Sequence, residues 1–185
     1  SPEWGCDMMM NPKKMALSHE AQGAMVTVRC VCGDEDRESA YRIRRDVLVR
    51  GGGVSARREL DRLDDEDCWH YLAFLDRKPV GTARARHMAN GAIEVERVAV
   101  LPEYRGRGVG AALMEFISRD LKDHATRLLV RARLPCVSFF ESHGFRAIGP
   151  EYRDDMGTFV RDMAYQAFEA VPHVAAGRMM PDARR

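Results

Sequence analysis

The chain has 185 residues, enough for one domain with a full hydrophobic core. Hydrophobic residues make up 45% and charged residues 31%, an ordinary balance for a globular protein, and the formal net charge of +1 supplies no field to gather nucleic acid or anionic lipid. No apolar stretch approaches the ~20 residues of a transmembrane helix, so neither a membrane nor a nucleic acid is expected as a partner.

Residues 1–24 hold Pro2, Gly5, Met8, Met9, Met10, Pro12 and Gly23 with no sustained period, and read as a flexible leader. No basic region precedes an apolar core there, so no signal peptide is expected. One domain is expected over residues 25–170, followed by a flexible tail over 171–185.

Met25 to Cys32 reads as a first strand. Gly33-Asp34-Glu35-Asp36 supplies a turn and an acidic helix start, and Ala40, Ile43, Val47 and Leu48 give that helix an apolar stripe. Gly51-Gly52-Gly53 ends it. The charged stretch from Arg57 to Asp67 reads as a short exposed helix or loop, and the Arg42, Arg44 and Arg45 cluster as a solvated helix face. Trp69 to Leu75 and Val80 to Met88 read as strands joined through Asp76-Arg77-Lys78-Pro79. Asn90-Gly91 is a hairpin signal leading into a third strand, Ile93 to Val100, so an antiparallel meander is expected.

A helix follows with Val109, Ala112, Leu113, Phe116, Ile117 and Leu121 at a 3.6 period. Arg127 to Arg131 reads as a strand and Pro135 to His143 as a short helix stopped by Gly144. Phe145 to Ile148 and Phe159 to Tyr165 read as the last strands. The order βαβββ–loop–αβαββ predicts an α/β (α+β) fold with a mixed sheet.

The five cysteines, Cys6, Cys30, Cys32, Cys68 and Cys136, are odd in number and match no zinc spacing. They read as buried or half-buried free thiols in a reducing, cytoplasmic setting, and no metal is expected. His70 beside Trp69 reads as a packed core histidine.

The stretch Arg105-Gly106-Arg107-Gly108-Val109-Gly110 sits between the third meander strand and the long helix. Glycines there let backbone N–H groups close around a phosphate at a helix N-terminus. Gly106-Arg107-Gly108-Val109-Gly110-Ala111 also satisfies the dinucleotide pattern GxGxxA. That motif follows a first buried strand, however, with an acid ending the next strand. Here the loop follows a meander, and the next strand ends in Arg131 and Arg133. The Walker pattern is absent.

Arg105, Gly108 and Gly110 fit Arg-x-x-Gly-x-Gly. With the surrounding segment Arg97 to Met114, and with Phe139-Phe140-Glu141-Ser142-His143-Gly144-Phe145, the chain resembles the GNAT superfamily of acyl-CoA-dependent N-acyltransferases. The resemblance runs from about Val26 to Gln166. Tyr41, Arg44, Val47, Val49, Glu59, Asp61, Asp64, His70 and Gly81-Thr82-Ala83-Arg84 are similar to its ElaA-like branch. Arg50-Gly51 and Gly157 to Met163 depart from that branch on the acceptor side.

The resemblance implies a central, mostly antiparallel sheet of six to seven strands flanked by about four helices. It implies acetyl-CoA as donor and a small-molecule or peptide amine as acceptor, with homodimers common in the family. Gly106, Gly108, Val109, Gly110 and Ala111 would meet the pyrophosphate through their backbone, with Arg105 and Arg107 adding charge. The pantetheine arm would pair with Val98, Ala99 and Val100, where a backbone N–H would polarise the thioester carbonyl. The incoming ammonium must lose a proton, and Glu96 and Glu94 are the candidate bases, expected on one strand face together with Val98 and Val100. Many members protonate the leaving thiolate with a tyrosine at the position of Phe140, which cannot donate. Cys136, Ser138, His143 and Tyr152 are the other groups in reach. Phe140 therefore also admits a second reading, a catalytically degenerate acyl-CoA-binding regulatory module.

Overall fold

The structure is a computed structural model that describes residues 17–21, 24–59, 61 and 68–168. In chain order the strands are β1 (Leu17–Ala21), β2 (Ala24–Cys30), β3 (Cys68–Leu75), β4 (Lys78–His87), β5 (Ile93–Val100), β6 (Leu128–Arg133), β7 (Phe145–Ala147), β8 (Tyr152–Arg153) and β9 (Phe159–Tyr165). The helices are α1 (Gly33–Arg44), α2 (Ala56–Glu59), α3 (Val109–Leu121) and α4 (Val137–Ser142). A π turn over Arg45–Arg50 prolongs α1.

The strands form one sheet in the order β1-β2-β3-β4-β5-β6-β9-β7, with β8 paired to β9. The meander and four helices stand as expected, and among the described residues the sheet has nine strands where six to seven were expected. The additions are β1, which lies inside the stretch read as a leader, and the two-residue β8. Residues 1–16, 22–23 and 171–185 lie outside the described residues, as does most of Arg57 to Asp67.

Two apolar layers hold helices to the sheet. Leu113, Phe116, Ile117 and Leu121 of α3 pack on Val26, Val28, Tyr71 and Val95. Ala40, Ile43 and Val47 pack on Leu72 and Ala99 of the opposite face. Asp76 and Arg77, at φ 49° and 68°, make the two-residue turn of the β3–β4 hairpin, whose handedness suits the strand twist.

Two irregularities in β5 shape the site. The first is a bulge. Thr82 pairs with Ala99 and Arg84 with Glu96, so Ala83 alone faces both Arg97 and Val98. Arg97 takes φ 55°, the left-handed conformation that an extra residue in a ladder adopts. The extra residue inverts the alternation beyond it. Ala99 therefore shares a face with Glu96 and joins the α1 layer, whereas Val98 and Val100 pack into the α3 layer. This corrects the expectation that Glu94 and Glu96 share a face with Val98 and Val100.

The second is a splay. Among the described strands β5 and β6 are the one parallel pair, and they are in register only at Ile93↔Leu128, Glu94↔Leu129 and Val95↔Val130. Past Val95 the strands part, while β6 continues against β9 to Arg133. The β6-side edge of β5 from Glu96 to Val100 is thus left without a strand partner among the described residues.

Candidate functional site

The N-terminus of α3 stands beside the open end of the splay. Gly106 and Gly108 take φ 73° and 76°, conformations that cost glycine little and other residues more. Gly108 is the N-cap, and no side chain caps the helix. The first-turn amides at Val109, Gly110 and Ala111 thus have no intrahelical acceptor and face outward with the positive end of the helix dipole. Space at Gly106 is open.

Gly110 has a second role, in packing. A Cβ there would lie 3.1 Å from Cε2 and Cζ of Phe139, so the missing side chain lets α4 close on α3. Phe139, which sequence reasoning did not single out, packs α4 against the first turn of α3; the Phe-Phe pair was its only signal. Phe140 itself is buried, edge-on to Phe139 at 5.1 Å and to Phe145 at 5.7 Å between ring centroids.

Arg105 donates from Nε to the Val100 carbonyl at 3.1 Å. The Arg107 guanidinium lies over the Tyr104 ring at 5.6 Å, and Lys78 Nζ donates to the Tyr104 hydroxyl at 2.7 Å. Neither arginine has a carboxylate partner among the described residues. Two unneutralised guanidinium groups beside a helix N-terminus form a place for an anion.

On the α1 face the meander sets opposite charges across the strands. Register pairs Arg84 with Glu96 and Arg86 with Glu94. Arg84, with 0% exposure, donates to Asp61 Oδ1 and Oδ2 at 2.6 and 3.0 Å and to Glu96 Oε1 at 3.0 and 2.7 Å. Arg86 donates to Glu96 Oε1 at 3.0 Å and to Glu94 Oε2 at 2.5 Å. Arg97 adds a bond to Asp61 at 3.1 Å.

This network separates the two candidate bases. Glu96 Oε1 accepts three guanidinium N–H bonds. Glu94 is 7% exposed and has one charged donor, Arg86. Burial raises the Glu94 carboxyl above the ordinary glutamate range, the Glu96 charge adds to the rise, and Arg86 and Arg131 offset only part of it. For Asp61, burial acts to raise the pKa, but the Arg84 hydrogen bond and the charges of Arg84, Arg97 and Arg44 hold it low.

The groups expected near the leaving thiolate are dispersed. The Tyr152 hydroxyl donates to Asp162 Oδ1 at 2.9 Å, and burial followed by that bond raises its pKa. His143 Nδ1 lies 2.6 Å from the Phe139 carbonyl oxygen. Cys136 and Ser138 are exposed on the approach to α4. His143 also lines a groove of about 350 Å³ with Ala111, Met114, Glu115, Ser118 and Tyr165.

Other expectations are corrected. Cys30, Cys32 and Cys136 are exposed thiols rather than buried, and Cys68 is half-buried. Arg44 is not solvated: it is buried against Glu59 of α2, to whose carboxylate and backbone carbonyl it donates. His70 is a packed core residue, edge-on to Tyr41 at 6.0 Å. Among the described residues no group of three or more His, Cys, Asp or Glu is arranged to hold a metal, and no helix is long and apolar enough to cross a membrane.

Comparison with known proteins follows the same lines. Residues 53–166, more than half of the chain, match the family model of an acetyltransferase (GNAT) domain. An uncharacterized N-acetyltransferase of Bacillus subtilis, YjcF, is 31% identical over 125 residues, covering 67% of this chain and 88% of that protein. The crystal structure of Escherichia coli ElaA shares the fold at a TM-score of 0.67 and 21% identity, covering 77% of this chain and 100% of ElaA. An aminoglycoside 6'-N-acetyltransferase crystallised with coenzyme A shares it at 0.60 and 12% identity, covering 74% and 94%.

Proposed function

Because the chain belongs to the GNAT acetyltransferase family, we propose that it moves an acetyl group from acetyl-CoA to a primary amine by direct attack in a ternary complex. The observation that carries this reading is the splay of β5 from β6 with the uncapped, glycine-rich N-terminus of α3 beside it.

The residues fit an acyl-CoA. Open space at Gly106, the free first-turn amides of α3 and the unneutralised Arg105 and Arg107 suit a pyrophosphate. The unpaired edge of β5 at Val98, Ala99 and Val100 suits an extended amide-bearing arm. When bound, acetyl-CoA supplies an activated thioester with a thiol leaving group. A β5 backbone N–H donates to the thioester oxygen, and the low-dielectric setting strengthens that bond. Glu94 takes the proton that the ammonium sheds, through a water, before nitrogen attacks. A carbon–nitrogen bond forms as the carbon–sulfur bond breaks; the thiolate leaves with the bonding electron pair, and the second amine proton passes from nitrogen to solvent. Glu94 suits this role because burial lifts its pKa toward the working pH, whereas a Glu96 oxygen is already taken by three guanidinium bonds. Glu96 positions Arg84 and Arg86.

The second reading, an acyl-CoA-binding module without turnover, is favoured by Phe140, which has no proton to give the thiolate. The leaving group's modest basicity, with a thiol pKa near 8.5, lets it depart unassisted. Acceptor-dependent thiol release separates the two. The transferase reading requires release that grows with amine concentration and is lost in Gly108→Asp. Binding of acetyl-CoA with no release for any amine would establish the module instead.

A further inference from the structure

We propose that the amine acceptor also carries a carboxylate, bound by Arg133. The inference rests on the transferase reading above and concerns the acceptor side of the same site.

Arg133 is the last residue of β6, three residues past Val130, where β6 last pairs with β5. It therefore stands on the diverging arm of the splay. Leu128, Val130 and Ala132 are buried in the α3 layer, so strand alternation turns Leu129, Arg131 and Arg133 to the opposite face. That is the face of Glu94, which pairs with Leu129, two residues before Arg131 on the same face of β6. The proton acceptor, just short of where the strands part, and Arg133, on the diverging arm of β6, thus share one face of the sheet.

Among the described residues the ion pairs on this face leave one guanidinium without a carboxylate. Glu96 is taken by Arg84 and Arg86, Glu94 by Arg86, Asp61 by Arg84 and Arg97, and Asp162 by Arg131. Arg133 has no carboxylate among the described residues. Its hydrogen bond is to the Gly52 carbonyl, at 3.3 Å, beyond the usual N–H···O range. The residue is half-buried, so the remaining guanidinium donors are only partly hydrated. A planar fork with free donors is complementary to a carboxylate and gains little from a neutral alkyl amine. An amine bound with its nitrogen toward Glu94 would set a carboxylate elsewhere on its chain against Arg133. Gly52, whose carbonyl meets Arg133, and its neighbours Gly51 and Gly53 carry no side chains there.

The test compares matched acceptors, 4-aminobutyrate against butylamine and β-alanine against propylamine, by thiol release from acetyl-CoA. The wild-type protein is expected to favour the carboxylate member of each pair by at least ~10-fold in kcat/KM, through KM. Arg133→Met should bring that ratio close to one, and Arg133→Lys should restore part of it, because an ammonium keeps the charge and loses the fork. Calorimetric titration with acetyl-CoA reports whether each variant is folded, and Arg119→Met on the exposed flank of α3 should leave the ratio as in wild type. Neutral amines used as well as their carboxylate partners would overturn the inference and leave the transferase reading standing, as would an unchanged ratio in Arg133→Met. Bound acetyl-CoA with no release for any acceptor would overturn both.

Discussion

Gly81→Ala tests how α3 is seated, and with it the position of the proposed phosphate site. A Cβ at Gly81 would lie 2.8 Å from Val109 Cγ1 and 3.3 Å from Leu113 Cδ1. Carbon atoms settle at about 3.5–4.0 Å, so the first contact must open by at least ~0.7 Å. Val109 cannot swing aside, because it is buried and a valine in a helix has one strongly preferred rotamer. The first turn of α3 must lift instead. Overpacking of this kind costs about 1–3 kcal/mol, and the smaller unfolded-state entropy of alanine returns about 0.4–1 kcal/mol. The net loss, up to ~2.6 kcal/mol, lowers the melting temperature by up to ~10 °C in a domain of this size. Thermal unfolding of Gly81→Ala, Val109→Ala and the double variant forms a cycle. The double variant should lose ~1 kcal/mol less than the sum of the single losses, since Val109→Ala removes the clashing methyl. Strict additivity would show that Gly81 does not set the seat of α3.

The remaining predictions concern charge and the loop. Glu94→Gln should lower kcat by ~10²–10⁴-fold while sparing acetyl-CoA affinity. In the wild type kcat should rise with pH as Glu94 loses its proton. The raised pKa places that rise above the ordinary glutamate range, and the glutamine variant should lack it. A wild-type pH profile in Glu94→Gln would remove Glu94 from the mechanism. Arg44→Met leaves the buried Glu59 carboxylate without its guanidinium and should cost about 3–5 kcal/mol in denaturant unfolding. The double change Arg44→Met with Glu59→Leu should recover most of that; an unchanged midpoint in the single variant would refute the pairing. Asp61, with its folded pKa held low, contributes stability above its unfolded pKa and loses it as pH falls through the folded value. Asp61→Asn should therefore be less stable than wild type at neutral pH, the two converging in acid; a gap independent of pH would refute it.

The meander, the glycine loop and the apolar stripe of α3 were legible because each depends on local pattern: alternation, turn chemistry and a 3.6 period. The bulge was not legible. Its positive φ falls on Arg97, a residue type without the signal that glycine gives, and the inverted parity sent Val98 and Val100 to the other layer. β1 has the sequence Leu-Ser-His-Glu-Ala, with no alternation to mark it. Arg44, Glu59 and Arg84 were hidden for a different reason. Composition places charged residues outside, and only the fold reveals that they bury one another in pairs. The Arg84–Glu96 and Arg86–Glu94 pairing was readable from the hairpin. The burial that distinguishes Glu94 from Glu96 was not, because it depends on β6 lying alongside β5.

Calorimetric titration with acetyl-CoA, with NAD in parallel, tests the central claim most directly. The account predicts micromolar, one-to-one binding of acetyl-CoA, no binding of NAD, and loss of the acetyl-CoA signal in Gly108→Asp, where a carboxylate would meet the pyrophosphate at a position that needs positive φ. No heat with acetyl-CoA in the folded wild type, or unchanged affinity in a folded Gly108→Asp, would contradict it.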